Sequence, residues 1–194
     1  MRQLELRLVG FDEPAQESYQ ASYQESYQES QRSIHVNAPA LVPPVDGRQS
    51  ETALKIARGT ARLLHAHRFC VVSELPLASG RRADLVALGS GGEIWIVEIK
   101  SSVADFRADQ KWVDYRMHCD RLFFATTVEV PCEIFPKDTG LIVADAFGAH
   151  IACEAPEHRL HAATRRSMTM AIARAAALRL QSLIDPTGPY AGEF

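Results

Sequence analysis

Three charged residues near the middle of the chain have the types and spacing that metal-assisted hydrolysis of a phosphodiester requires. Asp84 opens one predicted strand, and Glu98 and Lys100 stand at the end of the next, over 94–100. Glu98 and Lys100 share a face of that strand because side chains alternate along it. If Asp84 pairs beside them, two carboxylates and an ammonium group converge at one end of a hairpin.

The apolar strand around Glu98 distinguishes this acid-x-lysine spacing from a chance match. Residues 94–99 are too apolar for an exposed edge, and charges in such a strand are costly unless they are paired or bind a metal. An acid two residues before a lysine also occurs at Asp109 and Lys111, but that pattern is helical, and positions i and i+2 of a helix do not face each other. Of the two matches, the one at Glu98 lies in a strand, where both side chains can face one catalytic site.

Two adjacent carboxylates suit a divalent cation, because the cation removes their mutual repulsion. Mg²⁺ is typically held by one or two carboxylates, water and phosphate oxygens. A lysine beside it can orient the attacking water or stabilise charge that develops on the phosphate. The alternative is structural: Glu98 and Lys100 form an ion pair at the strand end, since ion-pair networks also imitate catalytic sites.

Four segments around these residues resemble the MmcB family of bacterial DNA repair proteins, which is similar to a branch of the PD-(D/E)XK nuclease superfamily. They are RRAD at 81–84, WIVEIKSS at 95–102, DFRADQKW at 105–112 and DYR at 114–116. The resemblance runs from about Glu51 to Pro186, with Ala83 where a proline often precedes the aspartate. It implies an α/β, restriction-endonuclease-like fold with an αβββαβ core, a mixed central sheet flanked by helices, and a long C-terminal helix.

The resemblance also implies what the central residues do. Asp84, Glu98 and Lys100 correspond to the catalytic trio. The two carboxylates would hold Mg²⁺ or Mn²⁺ with help from the Ile99 carbonyl, and the lysine would position the water; no small-molecule cofactor is implied. Candidate contacts with DNA are polar residues close to the trio, chiefly arginines, which suit bidentate phosphate binding. These are Arg81, Arg82, Ser101 and Arg107.

Two glutamates are candidates for an enlarged metal site. Enzymes of this superfamily often add a glutamate from the first helix, and Glu51 stands at that position; the alternative is an acid that is favourable at a helix N-terminus. Glu74 ends the first predicted strand near the same edge. It is either a fourth carboxylate or a salt-bridge partner for Arg82.

The helix after the trio carries three more candidates. Gln110 and Tyr115 resemble the Gln…Tyr element of RecB-like relatives, although the spacing differs by one residue, and Lys111 could face the site as well. The alternative for each is a helix that covers the sheet with a solvated face.

The composition is that of an ordinary soluble globular protein. The 194 residues are 46% hydrophobic and 23% charged, with a net charge of −3, so a nucleic-acid site must be a local patch. Four widely spaced cysteines without a zinc motif are expected to be reduced and mostly buried. The chain has no apolar run of 18 residues and no targeting segment, which predicts a cytoplasmic protein without a membrane span.

Three regions differ in character along the chain. Residues 1–49 are predicted to be a disordered tail because the repeat ESYQ-ASYQ-ESYQ-ESQR at 17–32 buries too little apolar area. This tail is either a neutral expansion or a Tyr/Gln tract that recruits other repair proteins. Residues 50–186 form the predicted nuclease-like domain, and 187–194 a flexible C-terminal tail.

Hydrophobic periodicity predicts the elements of the central domain. Helices are expected over 50–67, 103–117 and 156–184, and strands over 69–75, 84–88, 94–100, 121–127, 141–145 and 147–151. The arginines of the last helix, among them Arg165 and Arg179, either contact phosphates or solvate the helix.

Together these expectations favour a Mg²⁺-dependent endonuclease that acts on DNA in a repair pathway, hydrolysing phosphodiester bonds. The alternative is a nuclease-like module that binds damaged or branched DNA, recruits repair partners and cuts nothing. Retention of Asp84, Glu98 and Lys100 together favours the enzyme, because a binding module has no need of three costly buried charges.

Overall fold

The computed structural model describes residues 50–108 and 112–187. Its first helix, α1, spans Glu51–Ala66, and Ser50 caps it by accepting a hydrogen bond from the Ala53 N–H at 3.1 Å. The chain leaves the helix through Arg68 in the left-handed region (φ 65°). The predicted helix and its cap are confirmed.

The remaining elements follow in chain order. They are β1 Cys70–Pro76, β2 Arg82–Leu88, β3 Ile94–Ile99, α2 Val103–Ala108, a 3₁₀ helix Trp112–His118, β4 Arg121–Thr126, a short 3₁₀ helix Cys132–Ile134, β5 Gly140–Ala144, β6 Ala149–Cys153 and α3 Ala162–Ile184. Within the described residues, six strands form one sheet in the order of the chain. The β3–β4 and β4–β5 pairs are parallel and the others antiparallel. The α/β class, the mixed sheet and the C-terminal helix are confirmed.

A tight turn joins β2 to β3. Gly89 donates to the Glu93 carbonyl at 2.8 Å, and Gly92 adopts a positive φ of 85° that glycine tolerates. The antiparallel register runs from Leu88 opposite Ile94 to Leu85 opposite Val97. Continuing that register by one residue sets Asp84 across from Glu98, on one face of the sheet.

Both faces of the sheet are covered. Helix α1 packs Ile56 and Leu64 on one face, against residues that include Val97, Phe123 and Ile142. The other face meets α3 and the first 3₁₀ helix. Its cluster includes Val86, Ile96, Leu122, Tyr115, Met168 and Ile172. Because β3 and β4 are buried on both faces, the charged end of β3 projects from a rigid scaffold.

The helix predicted over 103–117 is wrong as one continuous α-helix. The structure has α2 over Val103–Ala108 and a 3₁₀ helix over Trp112–His118, and residues 109–111 lie outside the described part. In a 3₁₀ helix every third side chain falls on the same face, and here Trp112 and Tyr115 face the core. The core-facing residues of this stretch therefore repeat every three residues, as in a 3₁₀ helix, and not every 3.6 residues, as in an α-helix.

The last helix begins later than predicted, at Ala162 rather than Pro156. The preceding residues are held in an irregular segment by Asp120, whose carbonyl accepts from the His158 N–H at 2.7 Å and whose side chain accepts from the Leu160 N–H at 2.9 Å. These long-range bonds occupy backbone donors near the predicted helix start.

The cysteine prediction is also wrong in part. Cys119 is buried, whereas Cys70, Cys132 and Cys153 are exposed, and all four are free thiols. Across residues 50–108 and 112–187, none of the helices combines the length and the apolar character that crossing a membrane demands.

Candidate active site

Asp84 stands where β2 and β3 part. The paired register ends at Leu85 opposite Val97, and beyond it the Asp84 carboxylate accepts the Ile99 N–H at 2.8 Å. The Asp84 side chain thus accepts a hydrogen bond from a backbone N–H that would otherwise pair with a neighbouring strand. This bond fixes the orientation of the carboxylate at the end of the hairpin.

Glu98 and Lys100 are buried beside it, with 5% and 3% of their surfaces exposed. The Lys100 Nζ lies 3.4 Å from the Glu98 Oε1. The backbone of Lys100 is pinned to β4, because its N–H donates to the Ala125 carbonyl at 2.8 Å and its carbonyl accepts from the Thr126 hydroxyl at 2.7 Å. The predicted ion pair therefore exists inside a fixed frame.

All three charged groups line one cavity of about 310 Å³. Its other lining residues are Ser50, Ala53, Ile99, Ser101 and Asp105. The Asp84 and Glu98 side chains supply this cavity with carboxylate oxygens, hard donors of the kind that Mg²⁺ prefers when water and phosphate complete its shell. The donor set fits such a cation, with Asp84 and Glu98 as its protein carboxylates.

Burial dominates the electrostatics of Asp84 and raises the pKa of its carboxyl to about 6. The Ile99 N–H and the Lys100 ammonium act in the opposite direction, and the carboxylates of Glu74 and Asp105 add to the rise. The folded protein therefore holds a proton on Asp84 at pH values where the unfolded chain, with a pKa of about 3.9, has lost it.

This shift predicts a stability difference in protein freed of metal by a chelator. Because the folded-state pKa is raised, stability falls as pH rises from about 4 to about 6, and Asp84→Asn should abolish that loss. At pH 8 the variant should be more stable by about 2 kcal/mol, a Tm rise of about 4–8 °C, with no difference near pH 4. Thermal unfolding of both proteins across this range, beside the exposed control Asp138→Asn, measures it. A lower Tm for Asp84→Asn at pH 8 would contradict the prediction.

The family described as "DNA repair protein MmcB-like" matches residues 40–187, about three quarters of the chain. The chain belongs to the MmcB-like family of DNA repair proteins. The match covers every residue of the cavity, and membership indicates a role in DNA repair.

One solved structure is similar over most of this MmcB-like chain. It is the "SPO1766 protein of unknown function from Silicibacter pomeroyi", with 46% sequence identity and a TM-score of 0.69. The alignment covers 72% of this chain and 96% of that protein. No match was found among curated proteins.

Asp105 is a cavity residue that the sequence analysis did not single out. Its carboxylate accepts from the Ser101 N–H at 2.9 Å and from the Ser101 hydroxyl at 3.2 Å, while its own N–H donates to the Ser102 hydroxyl at 3.1 Å. Ser102 therefore caps α2, and the S-x-x-D spacing of a capping box was the available signal. These bonds orient the Ser101 hydroxyl, one of the predicted DNA contacts.

Of the two readings left open for Glu74, the structure shows the salt bridge to Arg82, and Glu74 is not among the residues that line the cavity. The pairing of β1 with β2 passes from Ser73–Leu85 to Leu75–Ala83, which sets Glu74 across from Asp84, and its charge raises the pKa of that residue. The φ of 50° at Glu74 shows that the strand is distorted here.

Among the described residues, the candidates Glu51 and Tyr115 lie outside the cavity lining. Glu51 is exposed and pairs with Lys55 at 2.8 Å, which lowers the pKa of its carboxyl. Tyr115 is buried, and its hydroxyl donates to the Arg82 carbonyl at 3.1 Å, so it supports the start of β2. Gln110 and Lys111 lie outside the described residues.

Of the four predicted DNA contacts, Ser101 is the one that lines the cavity. Arg107 is exposed on α2. Arg81 pairs with Asp114 at 3.1 Å, so this guanidinium is already engaged. A phosphate near Arg81 would have to share or displace that carboxylate.

Proposed function

We propose that this MmcB-like protein is a metal-dependent endonuclease with a restriction-endonuclease-like, PD-(D/E)XK fold, which hydrolyses phosphodiester bonds of DNA during repair. One observation carries the proposal: Asp84, Glu98 and Lys100 line a single cavity where two central strands diverge. A catalytic cleft needs such groups to be held rigidly, and the β3–β4 backbone pairing holds the strand that carries Glu98.

Asp84 and Glu98 would hold the cation, with the Ile99 carbonyl as a further oxygen donor. When bound, Mg²⁺ or Mn²⁺ neutralises phosphate charge and lowers the pKa of a bound water. The Ile99 N–H keeps the Asp84 carboxylate in place without occupying all of its lone pairs, since a carboxylate accepts several hydrogen bonds.

Lys100 would act on the reacting atoms. Its ammonium group is buried and lies 3.4 Å from the Glu98 carboxylate. Three N–H donors on this group allow it to keep that ion pair while it donates to the attacking water or to a phosphate oxygen. Burial of the ammonium group strengthens both contacts relative to the same contacts in water.

A second candidate function is a nuclease-like DNA-binding module that recruits repair partners without cutting. The observation that favours it is the small number of protein ligands: within the described ranges, no group of three or more His, Cys, Asp or Glu residues could hold a metal, so a cation would have at most two side-chain ligands of these types. In that case the Glu98–Lys100 pair has only a structural role.

Cleavage of a substrate panel tests the proposal. Full-length protein is incubated with duplex, flap, forked and single-stranded DNA in Mg²⁺, in Mn²⁺ and in a chelator. Cleavage is expected with the cations and absent with the chelator. The binding module predicts DNA binding with every substrate left intact, and that result would overturn the nuclease proposal. The same assay with RNA of matched sequence establishes whether the protein distinguishes deoxyribose from ribose.

A further inference from the structure

A second, larger cavity opens beside the first at the carboxyl ends of the three parallel strands. It has a volume of about 950 Å³, within the range of ligand sites, and it shares Ser101 with the catalytic cavity. One side is the β5–β6 turn and another the loop after β4, while Thr52 and Lys55 contribute from α1. We name this cavity the side groove.

Two apolar side chains stand exposed on the side groove. Phe147, in the β5–β6 turn, is 83% exposed, and Val128, in the loop after β4, is 81% exposed. Burying a phenyl ring stabilises a fold, so a ring that is left this exposed gives up that stabilisation. Both residues border a cavity that has Ser101 in common with the catalytic cavity.

The turn that carries Phe147 is tightly fixed. The Asp145 carboxylate accepts from the Phe147 N–H at 2.7 Å and from the Gly148 N–H at 2.9 Å, and the Asp145 N–H donates to the Gly148 carbonyl at 2.9 Å. The Arg62 guanidinium of α1 donates to the Phe147 carbonyl at 2.9 Å. The backbone on both sides of the ring is therefore positioned before any ligand arrives.

Gly59 explains how α1 and this turn approach so closely. A Cβ atom at Gly59 would lie 2.2 Å from the Asp145 carbonyl oxygen and 2.4 Å from that of Gly148. A glycine in the middle of a helix is destabilising relative to alanine, yet here it allows the turn to rest on the helix backbone. The exposed ring is thus presented by a preorganised turn.

We infer that Phe147 stacks on an unstacked base of the DNA strand whose phosphodiester lies at Asp84, Glu98 and Lys100, with Val128 as a second apolar contact. This inference rests on the proposed function and names its substrate class: DNA with unpaired nucleotides next to the cleaved bond. Because Ser101 lines both cavities, they are adjacent, and the inference places one strand across both.

The charges of the side groove favour a base over phosphate. Lys55 is paired with Glu51, and the lining also carries the acids Glu129 and Asp145, so no strongly positive surface lies there. Every base has a π-face that stacks on an aromatic ring regardless of sequence. The side groove therefore selects for bases that are free of a duplex, not for a particular sequence.

Equilibrium binding tests the inference without needing cleavage. Full-length Lys100→Met protein, alone and with Phe147→Ala, is titrated in Mg²⁺ into a fluorescein-labelled single-stranded oligonucleotide and into the paired duplex of the same sequence. Phe147→Ala should weaken single-strand binding about 5- to 150-fold and duplex binding far less. Because Phe147 is exposed, its replacement removes little packing.

Two further variants sharpen the result. Phe147→Trp keeps a stacking ring and should retain the affinity, whereas Ile184→Ala removes an equally apolar side chain, 70% exposed, from the end of α3 and should change nothing. Unchanged single-strand binding by Phe147→Ala, equal losses on both DNAs, or a parent that binds neither DNA would overturn the inference. If single-strand binding depends on Phe147 but the wild-type protein cleaves no DNA, the nuclease proposal is contradicted and the stacking role of Phe147 stands.

Discussion

Replacing Lys100 by alanine should lower the rate of DNA cleavage by about 10²-fold or more and leave DNA affinity nearly unchanged. The ammonium group can contact the attacking water or the charge that develops on phosphate, whereas affinity is spread over many phosphate contacts. Single-turnover cleavage and DNA binding, measured on the same preparations, separate the two effects.

The burial of Lys100 requires a control for folding. Its removal leaves the buried Glu98 carboxylate without a 3.4 Å ion-pair partner, which is expected to cost about 3–5 kcal/mol of stability. Lys100→Met fills the same volume, and Lys100→Met with Glu98→Gln removes both charges. The cleavage defect should persist in every variant whose thermal unfolding shows a folded protein at the assay temperature.

Asp84→Asn should abolish cleavage by a different route. The variant loses a carboxylate from the proposed cation site, so added Mg²⁺ should raise the Tm of the wild type and not of the variant. DNA affinity should stay the same or rise, because a negative charge near phosphate has been removed. Cleavage that survives in both Asp84→Asn and Lys100→Met would point to a contaminating nuclease and would contradict the roles assigned here.

Local patterns predicted the hairpin and the shared face of Glu98 and Lys100, while the position of Asp84 depended on the strand register. A glycine-rich turn between two apolar strands sets a hairpin, and alternation along β3 puts Glu98 and Lys100 on one face. The register of that hairpin then brings Asp84 opposite Glu98. Each step involves residues close in sequence, so periodicity and turn chemistry suffice.

Contacts between distant residues were not predictable in this way. Arg165 and Arg179 read as phosphate contacts or solvated residues, yet Arg165 binds Asp120 and Arg179 donates to the carbonyls of Ser73 and Glu74. Nothing in a helical pattern reveals a partner 45 residues away. The 3₁₀ helix was missed for a related reason, since the packing of Tyr115 against the sheet selects its geometry.

Asp120 is predicted to be a major determinant of stability. Its buried carboxylate accepts from the Ile94 N–H at 2.8 Å, from the Leu160 N–H at 2.9 Å, and from both terminal nitrogens of Arg165 at 2.7 Å. One side chain thus joins β3, the segment before α3 and α3 itself. Asp120→Ala leaves these donors without their acceptor and should lower the free energy of unfolding by about 3–5 kcal/mol.

Denaturant unfolding of Asp120→Ala beside a surface control measures this effect. Asp138 pairs with Arg116 at 2.7 Å but is 67% exposed, so Asp138→Ala should cost about 0–1 kcal/mol. Burial acts to raise the pKa of the Asp120 carboxyl, but Arg165 and the two N–H donors outweigh it and lower the pKa. The stability that ionised Asp120 contributes to the folded protein should therefore be present at neutral pH and be lost as pH falls below about 4.

A double-mutant cycle with Arg165→Met separates the ion pair from the backbone bonds of Asp120. Arg165→Met should cost less than Asp120→Ala, because the carboxylate still accepts the Ile94 and Leu160 N–H groups. The double variant should cost less than the sum of the two, since the ion pair is lost only once. Equal losses for Asp120→Ala and Asp138→Ala would show that the carboxylate is not what anchors α3 to the sheet.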